Sequence, residues 1–316
     1  MRPTTTTSPR HILRKQIDLQ AWDACIASAT NPLPYASSWY LDIVTKQRWN
    51  ALIVGDYEAV FPLPFNRKLF GLPQVQRPIL CQQLGWFSPA NKEKLFQTEL
   101  QSIPSSYRRI NLSLQSNNLS EQLGFHPRIN LVLDINRDYA AIQSGYSKSL
   151  RKRLRRARER LTINQAKDPS EVLRLYRQEI GSRLNWGSKE FDLAEQLLKD
   201  ALARNLAVVF HVYLQDTGEL VGAGSFLLFG RRVINILGAT NELGKDHFAM
   251  HLLIDHAIKT HQNTFQLFDF EGSELPGVAT FFRSFGAVEE LYYDYHRDTL
   301  PAWVRMAIQI KKKIRY

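Results

Sequence analysis

The sequence predicts an α/β protein made of two similar units, each with a mixed central sheet flanked by helices. The chain of 316 residues is long enough for two domains of ordinary size. Its second half alternates strand and helix periods in a fixed order, and its first half repeats that order more weakly. We therefore predict a first unit at 10–140, after a disordered lead-in at 1–9, and a second unit at 141–316.

The second half has the clearer pattern. It opens with a basic helix at 146–161, in which Ser147 is a suitable N-cap. The apolar residues of this helix form a narrow stripe: Tyr146, Leu150, Leu154, Ala157 and Leu161. Strands are predicted at 161–166, 206–214, 219–229, 232–240, 265–271 and 287–297, and further helices at 169–184, 188–205, 245–261, 276–285 and 302–314.

The first half repeats this order with weaker signals. Strands are predicted at 12–16, 51–56, 57–65, 73–87 and 107–115, with a closing strand at 128–135, and helices at 18–29, 37–47 and 91–103. The closing strand occupies the same place in the first unit as 287–297 does in the second.

Positive charge is concentrated in two segments. The net charge is +11, and the segment 148–160 alone contains eight Lys or Arg and one Glu. A solvated helix usually carries more Glu for pairing, so we predict that this helix binds a polyanion through Arg151, Arg155 and Arg158. The candidates are tRNA, a nucleotide diphosphate or CoA. The basic tail at 301–316 is a second candidate, for contact with an acidic membrane surface.

The composition excludes several classes of protein. No apolar run approaches the roughly 20 residues of a membrane-spanning helix, and the N-terminus has no signal-peptide pattern. Two cysteines cannot form a disulfide framework or a four-ligand zinc site. These observations predict a cytoplasmic protein.

The strand ending at 271 is the main candidate for chemistry. Asp269 and Glu271 would project from one face of a strand and orient or deprotonate an amine, while Gly272 would let a ligand approach the backbone. Arg283, on a helix rich in phenylalanine, is a candidate for binding phosphate or stabilising an oxyanion. Local pairing of the carboxylates and a surface position for Arg283 are the structural alternatives.

Other residues are weaker candidates. Tyr293 on the last strand is a possible general acid, although packing explains most of the tyrosines around it. Gln83 and Trp86 are the first unit's candidates for lining a substrate cleft. His247, His251 and Asp255 share a helix face, but the apolar residues around them argue against a metal site, and we predict none.

Two stretches carry a family resemblance. The sequence DFEGS at 269–273 and the sequence GVATFFRSFGA at 277–287 look like an acidic-glycine strand end followed by a Phe-Lys/Arg-x-x-Phe-Gly helix end. With the element order and the basic helix, they resemble the GNAT superfamily of N-acyltransferases and, as a tandem pair, its FemAB-like group. The resemblance implies two GNAT-like (acyl-CoA N-acyltransferase) units in tandem, with Ser273 beside Gly272 as a substrate-binding residue.

The resemblance also directs attention to the turn at 238–250. GNAT enzymes that use acyl-CoA hold its pyrophosphate on a glycine-rich turn at this place. Here Gly244 and Lys245 are the candidate cofactor-binding residues, but Asp246 follows them and is a poor neighbour for a pyrophosphate.

Three functions follow as hypotheses. The first is transfer of an acyl or aminoacyl group to an amine, on a cell-wall precursor or another amine-bearing metabolite, as in FemAB-like proteins. Its donor would be aminoacyl-tRNA or acyl-CoA, without a metal. The second is a CoA-dependent acetyltransferase with an altered turn. The alternative from a different class is a non-enzymatic protein that binds RNA or an anionic surface on a GNAT-like fold.

Overall fold

The computed structural model describes residues 8–69, 71–89, 99–116, 125–184, 186–272 and 276–301, with residues 304 and 306. They fall into two compact units. The first contains the described parts of Met1–Asn31, Tyr35–Arg128 and Tyr292–Tyr316, and the second contains Pro32–Pro34 and the described parts of Ile129–Leu291. The predicted limits, 10–140 and 141–316, follow a repeat along the chain rather than its contacts, and they stay a prediction.

Strands and helices alternate along both units. The strands are β1 (Arg10–Leu13), β2 (Trp49–Val54), β3 (Ala59–Leu69), β4 (Leu72–Gln76), β5 (Arg109–Gln115), β6 (Phe125–Asp134), β7 (Leu161–Ala166), β8 (Ala207–Leu214), β9 (Leu220–Phe229), β10 (Arg232–Thr240), β11 (Leu267–Asp269) and β12 (Val288–Asp298). The helices are α1 (Leu19–Ser28), α2 (Ser38–Thr45), α3 (Tyr139–Ser144), α4 (Lys148–Arg158), α5 (Ser170–Glu179), α6 (Gly181–Leu184), α7 (Ser188–Ala203), α8 (Glu242–Asp246), α9 (Ala249–His261) and α10 (Pro276–Arg283).

The first unit has a mixed sheet. Strands β1 to β4 pair in chain order and antiparallel, β4 and β5 are parallel, and β5 pairs antiparallel with the part of β12 that begins at Tyr292. Helices α1 and α2 pack on β2 and β3 over a core that includes Trp22, Trp49 and Phe61.

The second unit has a mixed sheet in the order β6, β11, β10, β9, β8, β7. Only β10 and β11 are parallel, and the other neighbours are antiparallel. Helix α9 packs on β8, β9 and β10 and also contacts α4. The core residues include Phe226, Phe268, Phe270 and Phe285.

The basic helix forms as predicted. Ser147 caps α4 by accepting a hydrogen bond from the backbone N–H of Leu150. Every member of the predicted apolar stripe is buried in the core of the second unit: Tyr146, Leu150, Leu154, Ala157 and Leu161. The stripe therefore fixes which side of α4 faces the core and leaves its cations at the surface.

Several predicted elements need correction. The strand predicted at 12–16 ends at Leu13 and is followed by a 3-10 helix at Arg14–Gln16, and the helix predicted at 169–184 is divided into α5 and α6 at Ile180. The strand predicted at 73–87 ends at Gln76, because Pro78 cannot donate a ladder hydrogen bond and Leu80 adopts a left-handed conformation with φ +58°. The single helix predicted at 245–261 is divided into α8 and α9 by Phe248, with φ +60°. The strand predicted at 265–271 is reduced to Leu267–Asp269. Most of the helices predicted at 91–103 and 302–314 lies outside the described residues.

The two predicted closing strands pair in an order that the sequence did not indicate. Val132 to Asp134 of β6 pair with β11 in the second unit. Tyr292 to Asp298 of β12 pair with β5 in the first unit. Each unit is therefore completed by a strand from the other predicted half of the chain.

No helix in the described ranges has both the length and the apolar character needed to cross a membrane.

Candidate active site in the second unit

The two parallel strands of the second unit are paired over a short stretch and then separate. β10 and β11 pair only over Arg232 to Ile234 and Leu267 to Asp269. β10 continues to Thr240, with an irregularity in its pairing to β9 between Asn235 and Leu237. Ligands of open α/β sheets bind beyond the carboxyl ends of parallel strands. The end of β11 is therefore the candidate site, which is where the sequence placed Asp269 and Glu271.

Asp269 is the centre of a buried ionic network. Its side chain is 1% exposed and forms an ion pair with Arg232, which is also 1% exposed, at 2.9 Å between Oδ2 and Nη1. Arg232 also donates two hydrogen bonds to Glu290, of 2.6 and 2.9 Å. Asn130 donates from Nδ2 to both carboxylates, at 3.0 Å to Asp269 and 3.2 Å to Glu290. The network thus joins four strands of this unit.

The network shifts the acidity of its members in different directions. Burial raises the pKa of Asp269, against the opposing positive charge of Arg232. Burial alone would also raise the pKa of Glu290, but its hydrogen bonds and attraction to Arg232 outweigh that effect, and the pKa is lowered. Burial would lower the pKa of Arg232, but the two carboxylates outweigh it and the pKa is raised. Arg232 therefore stays charged.

Glu271 lies in a turn rather than in the strand. It has φ +57° and is followed by Gly272 with φ +45°, so strand alternation does not extend to Glu271. Its backbone N–H donates to Oδ1 of Asp269 at 2.9 Å. Burial, and then the negative charge of Glu271, raise the pKa of Tyr176 on α5 to about 12.

Arg283 is separate from the network. It lies at the end of α10, is exposed, and pairs with Glu289 at 2.6 Å. Phe282 of the same helix is buried against Phe270, which agrees with the predicted inward side of the helix. In the described part of the chain, Arg283 is not paired with Asp269.

The candidates of the first unit are packed residues. Tyr293 is buried with its ring edge towards Phe125. The amide of Gln83 donates to the side chain of Gln82 at 2.9 Å, and Trp86 packs edge-on against Phe61. Ser273 lies outside the described residues. The structure therefore gathers Asp269, Glu271 and Gly272, and the roles of all the predicted site residues stay predictions.

The turn that would hold a CoA pyrophosphate is occupied by its own side chains. Asn241 accepts a hydrogen bond from the Gly244 N–H at 2.8 Å. Lys245 pairs with Glu242 and with Glu179, at 2.5 and 3.1 Å. A β-carbon at Gly244 would lie 2.1 Å from the Val221 carbonyl oxygen, so close packing explains why glycine is needed there.

The surface of α4 carries a group of exposed cations. Of these, Arg158 bonds Asp255 at 2.7 Å and the Tyr139 hydroxyl at 2.9 Å, and Arg151 contacts the Ser144 carbonyl at 3.3 Å. Among the described residues, Arg158 is the one cation of this helix with a carboxylate partner. Those without one are Lys148, Arg151, Lys152, Arg153, Arg155 and Arg156.

His251 and Asp255 of the 245–261 region have other partners. Asp255 is buried against Arg158 and Tyr139. The His251 ring packs against Phe281, with centroids 4.7 Å apart, and its Nε2 lies 3.3 Å from Nη1 of Arg153. Within the described ranges, no group of three or more His, Cys, Asp or Glu residues is arranged to hold a metal ion.

His251 should make stability depend on pH. Burial, and then the charge of Arg153, lower its pKa from 6.5 to about 4. Because the unfolded chain binds more protons between these values, stability is complete above about pH 6.5 and is lost as the pH falls. We expect His251 to account for a loss of roughly 2 kcal/mol between pH 7 and pH 4.5. Urea unfolding across this range measures it.

The matched control is His251→Gln, which keeps an acceptor for Arg153 but does not titrate. Its stability should fall less steeply over the same pH range. An identical pH profile in both proteins would show that His251 is not the group responsible.

Sequence reasoning missed Arg232, Asn130 and Glu290. Arg232 begins the apolar strand predicted at 232–240, and a cation at such a place signals either an edge or a buried ion pair. Asn130 is a polar residue within an apolar strand, which is a similar signal.

Comparisons with known proteins agree with the fold. Residues 144–283 match the family model described as an acetyltransferase (GNAT) domain. No curated protein sequence matches the chain at a significant level. Among solved structures, FemX is similar with a TM-score of 0.65 and 13% identity, over 90% of this chain and 96% of FemX.

Two further solved structures are also similar. L-PGS from Bacillus licheniformis has a TM-score of 0.55 and 12% identity, over 93% of this chain and 96% of its own. The C-terminal domain of a putative lysylphosphatidylglycerol synthetase from Agrobacterium fabrum has a TM-score of 0.52 and 11% identity, over 92% and 95%. At such identities the likeness shows the fold.

The predicted GNAT-like α/β fold is thereby confirmed. The predicted resemblance to the GNAT superfamily is confirmed at residues 144–283, whose match to an acetyltransferase (GNAT) domain supports the predicted transferase. The likeness to FemX, at 13% identity, is a likeness of fold.

Proposed function

We propose that this protein transfers an aminoacyl group from aminoacyl-tRNA to an amine. The observation that carries the proposal is the exposed cationic side of α4, most of whose charges lack a carboxylate partner among the described residues. Such a surface is suited to the phosphates of RNA. The similar structures include the C-terminal domain of a putative lysylphosphatidylglycerol synthetase. The product in that name carries a lysyl group, which supports the choice of an aminoacyl donor.

The turn after β10 makes acyl-CoA the less favoured donor. The Gly244 N–H is already satisfied by Asn241, and Glu242 adds negative charge to the first turn of α8. Lys245 is paired with two carboxylates. A pyrophosphate would have to displace these contacts and approach Glu242 and Asp246, so the proposal that Gly244 and Lys245 bind CoA belongs to the second hypothesis.

The chemistry requires a deprotonated amine and a stabilised carbonyl oxygen. In the proposal, a carboxylate at the end of β11 takes a proton from the acceptor ammonium. The amine nitrogen then attacks the ester carbonyl carbon, the carbon–oxygen ester bond breaks, and the ribose hydroxyl of the tRNA leaves with a proton. Asp269 and Glu271 are the candidate carboxylates, and Arg283 is the candidate cation for the oxyanion. Tyr293 lies in the first unit, and its role as an acid stays a separate prediction.

Substrate contacts complete the proposal. Arg151, Arg155 and Arg158 would bind the donor, with Arg158 held in place by Asp255. Gly272 and Ser273 are the candidate residues for binding the acceptor. The roles of Gln83 and Trp86 stay separate predictions for the first unit. The acceptor would be a cell-wall precursor or another metabolite with a free amine. A cytoplasmic location and a contact between the basic tail and acidic lipid belong to the same proposal.

Donor identity can be tested directly. Purified protein is mixed with tRNA charged with a labelled amino acid, or with labelled acetyl-CoA, and a panel of amines. Transfer of label from tRNA but not from CoA supports the proposal. Transfer from CoA alone would instead favour the acetyltransferase hypothesis, and salt-sensitive RNA binding without any transfer would favour the non-enzymatic alternative.

The double variant Arg151→Glu/Arg155→Glu should weaken tRNA binding at least about tenfold. Both side chains are exposed on α4, so the fold should be unaffected. Each lost phosphate contact should also lower the slope of log affinity against log salt concentration by about 1. Fluorescence anisotropy with labelled tRNA at several salt concentrations measures both.

The control is Lys189→Glu/Lys199→Glu, which makes the same charge change on the exposed side of α7. It should have a much smaller effect on the salt dependence of binding. Equal losses in the two variants would mean that net charge, and not the surface of α4, governs RNA affinity.

A further inference from the structure

The turn after β11 keeps a glutamate in a backbone conformation that disfavours it. Glu271 has φ +57°, in the left-handed region where glycine and asparagine are common and other residues are not. Gly272 continues the turn with φ +45°, and a β-carbon there would lie 2.6 Å from the Ile129 carbonyl oxygen. A residue that keeps a disfavoured backbone conformation beside a candidate site suggests that its side chain has a functional role.

Asp269 holds this turn from within the protein. Its Oδ1 accepts hydrogen bonds from the Glu271 N–H at 2.9 Å and from Asn130 at 3.0 Å. Its Oδ2 accepts from Arg232 at 2.9 Å. Both oxygens are therefore engaged, and the side chain is 1% exposed. A carboxylate so buried and so bonded is poorly placed to take a proton from a substrate.

The remaining members of the network hold Asp269 itself. Arg232 is fixed by Glu290 as well as by Asp269, so its guanidinium cannot turn away without breaking three hydrogen bonds. Asn130 lies on β6, beside the strand that ends at Asp269, and bonds both carboxylates. Glu271 is half-buried. The arrangement thus has a bonded interior and two half-buried carboxylates: that of Glu290, which Arg232 and Asn130 hold, and that of Glu271.

We propose that Asp269 is a positioning residue, held by Arg232, Glu290 and Asn130, and that it fixes the strained turn so that Glu271 presents its carboxylate to the acceptor ammonium. This inference rests on the proposed function, and it divides the work of the two acids. Glu271 receives the proton that leaves the acceptor nitrogen. Asp269 keeps its hydrogen bonds to Arg232 and to the Glu271 N–H throughout.

The first test uses hydrogen exchange and needs no substrate. Asp269→Asn replaces one carboxylate oxygen by an NH2 group, which cannot accept a hydrogen bond. Either Arg232 or the Glu271 N–H therefore loses its acceptor, and the turn should loosen. The Glu271 amide, followed by NMR, should exchange at least tenfold faster than in the wild type, while the Phe226 amide on β9 should not change. A wild-type exchange rate at Glu271 would overturn the inference.

The second test compares the pH dependence of kcat/KM for transfer. Glu271→Gln should remove the acidic limb of the profile. Asp269→Asn should keep that limb and lower kcat at least tenfold with little change in KM for the charged tRNA. The opposite result, with the limb lost in Asp269→Asn and kept in Glu271→Gln, would make Asp269 the base and overturn the inference.

Two further variants keep the tests interpretable. Asp134→Asn makes the same substitution at the exposed end of β6 and should match the wild type in both tests.

If Asp269→Asn does not fold, Asn130→Ser removes one donor to Oδ1 of Asp269, the oxygen that also accepts from the Glu271 N–H. It should give a smaller rise in exchange at Glu271; no rise would overturn the inference. A protein without transferase activity would contradict the proposed function, yet the exchange result would still decide whether Asp269 holds the turn.

Discussion

Replacing Arg232 by methionine is expected to lower the free energy of unfolding by about 3–5 kcal/mol. The substitution keeps most of the buried volume but leaves Asp269 without its cation at 1% exposure. Glu290 is 28% exposed and can regain water, so most of the loss should come from Asp269. Urea unfolding at neutral pH, monitored by tryptophan fluorescence, measures the change.

The control is the double variant Arg232→Met/Asp269→Leu, which removes both charges. Because a buried ion pair can be replaced by apolar groups at little cost, the double variant should be more stable than Arg232→Met alone. Burial already raises the pKa of Asp269, so the defect of Arg232→Met should also shrink as the pH falls and this carboxyl takes up a proton. A defect that is independent of pH and of residue 269 would mean that the loss has another origin.

The second large effect is expected at Gly244. Gly244→Ala should cost about 3 kcal/mol of stability, because its β-carbon would lie 2.1 Å from the Val221 carbonyl oxygen and 3.1 Å from the carbonyl carbon. Backbone atoms of a paired strand cannot move aside as the end of a side chain can. Thermal unfolding of the two proteins measures the difference.

Gly277→Ala is the matched control. Gly277 lies in α10, where no described atom outside its chain neighbours and the backbone of its own helix lies within 4 Å of the added β-carbon, and alanine is the better helix former. This variant should be as stable as the wild type or slightly more so. If Gly244→Ala is equally well tolerated, then packing does not explain the glycine, and a ligand-binding role for the turn regains support.

The basic helix shows what local sequence can predict. The apolar stripe from Tyr146 to Leu161 and the cap at Ser147 depend on side chains within a few positions of one another. Periodicity and capping are local properties, and both predictions are confirmed by the structure. The order of strands and helices in the second half was predictable for the same reason.

The buried network shows what local sequence cannot predict. Asn130 and Asp269 are 139 positions apart, and Arg232 and Glu290 are 58 positions apart. No periodic pattern links them, because they meet only when their strands pair. For the same reason the sequence placed Asp269 correctly at a strand end but gave no indication of its partners. The ion pair between Lys245 and Glu179, which are 66 positions apart, also forms only through tertiary packing and was not predictable from the local sequence.

The path of β12 bears on how the chain acquires its structure during synthesis. Ser113 pairs with Asp294, 181 positions later, so the sheet of the first unit stays open until almost the whole described chain has left the ribosome. The second unit is nearly continuous, and its strands can pair earlier. β5 therefore spends most of synthesis as an unprotected edge, a state in which chains associate wrongly. Because of this exposed edge, we expect the yield of active protein to depend more on translation rate and chaperone supply than on the stability of the folded protein.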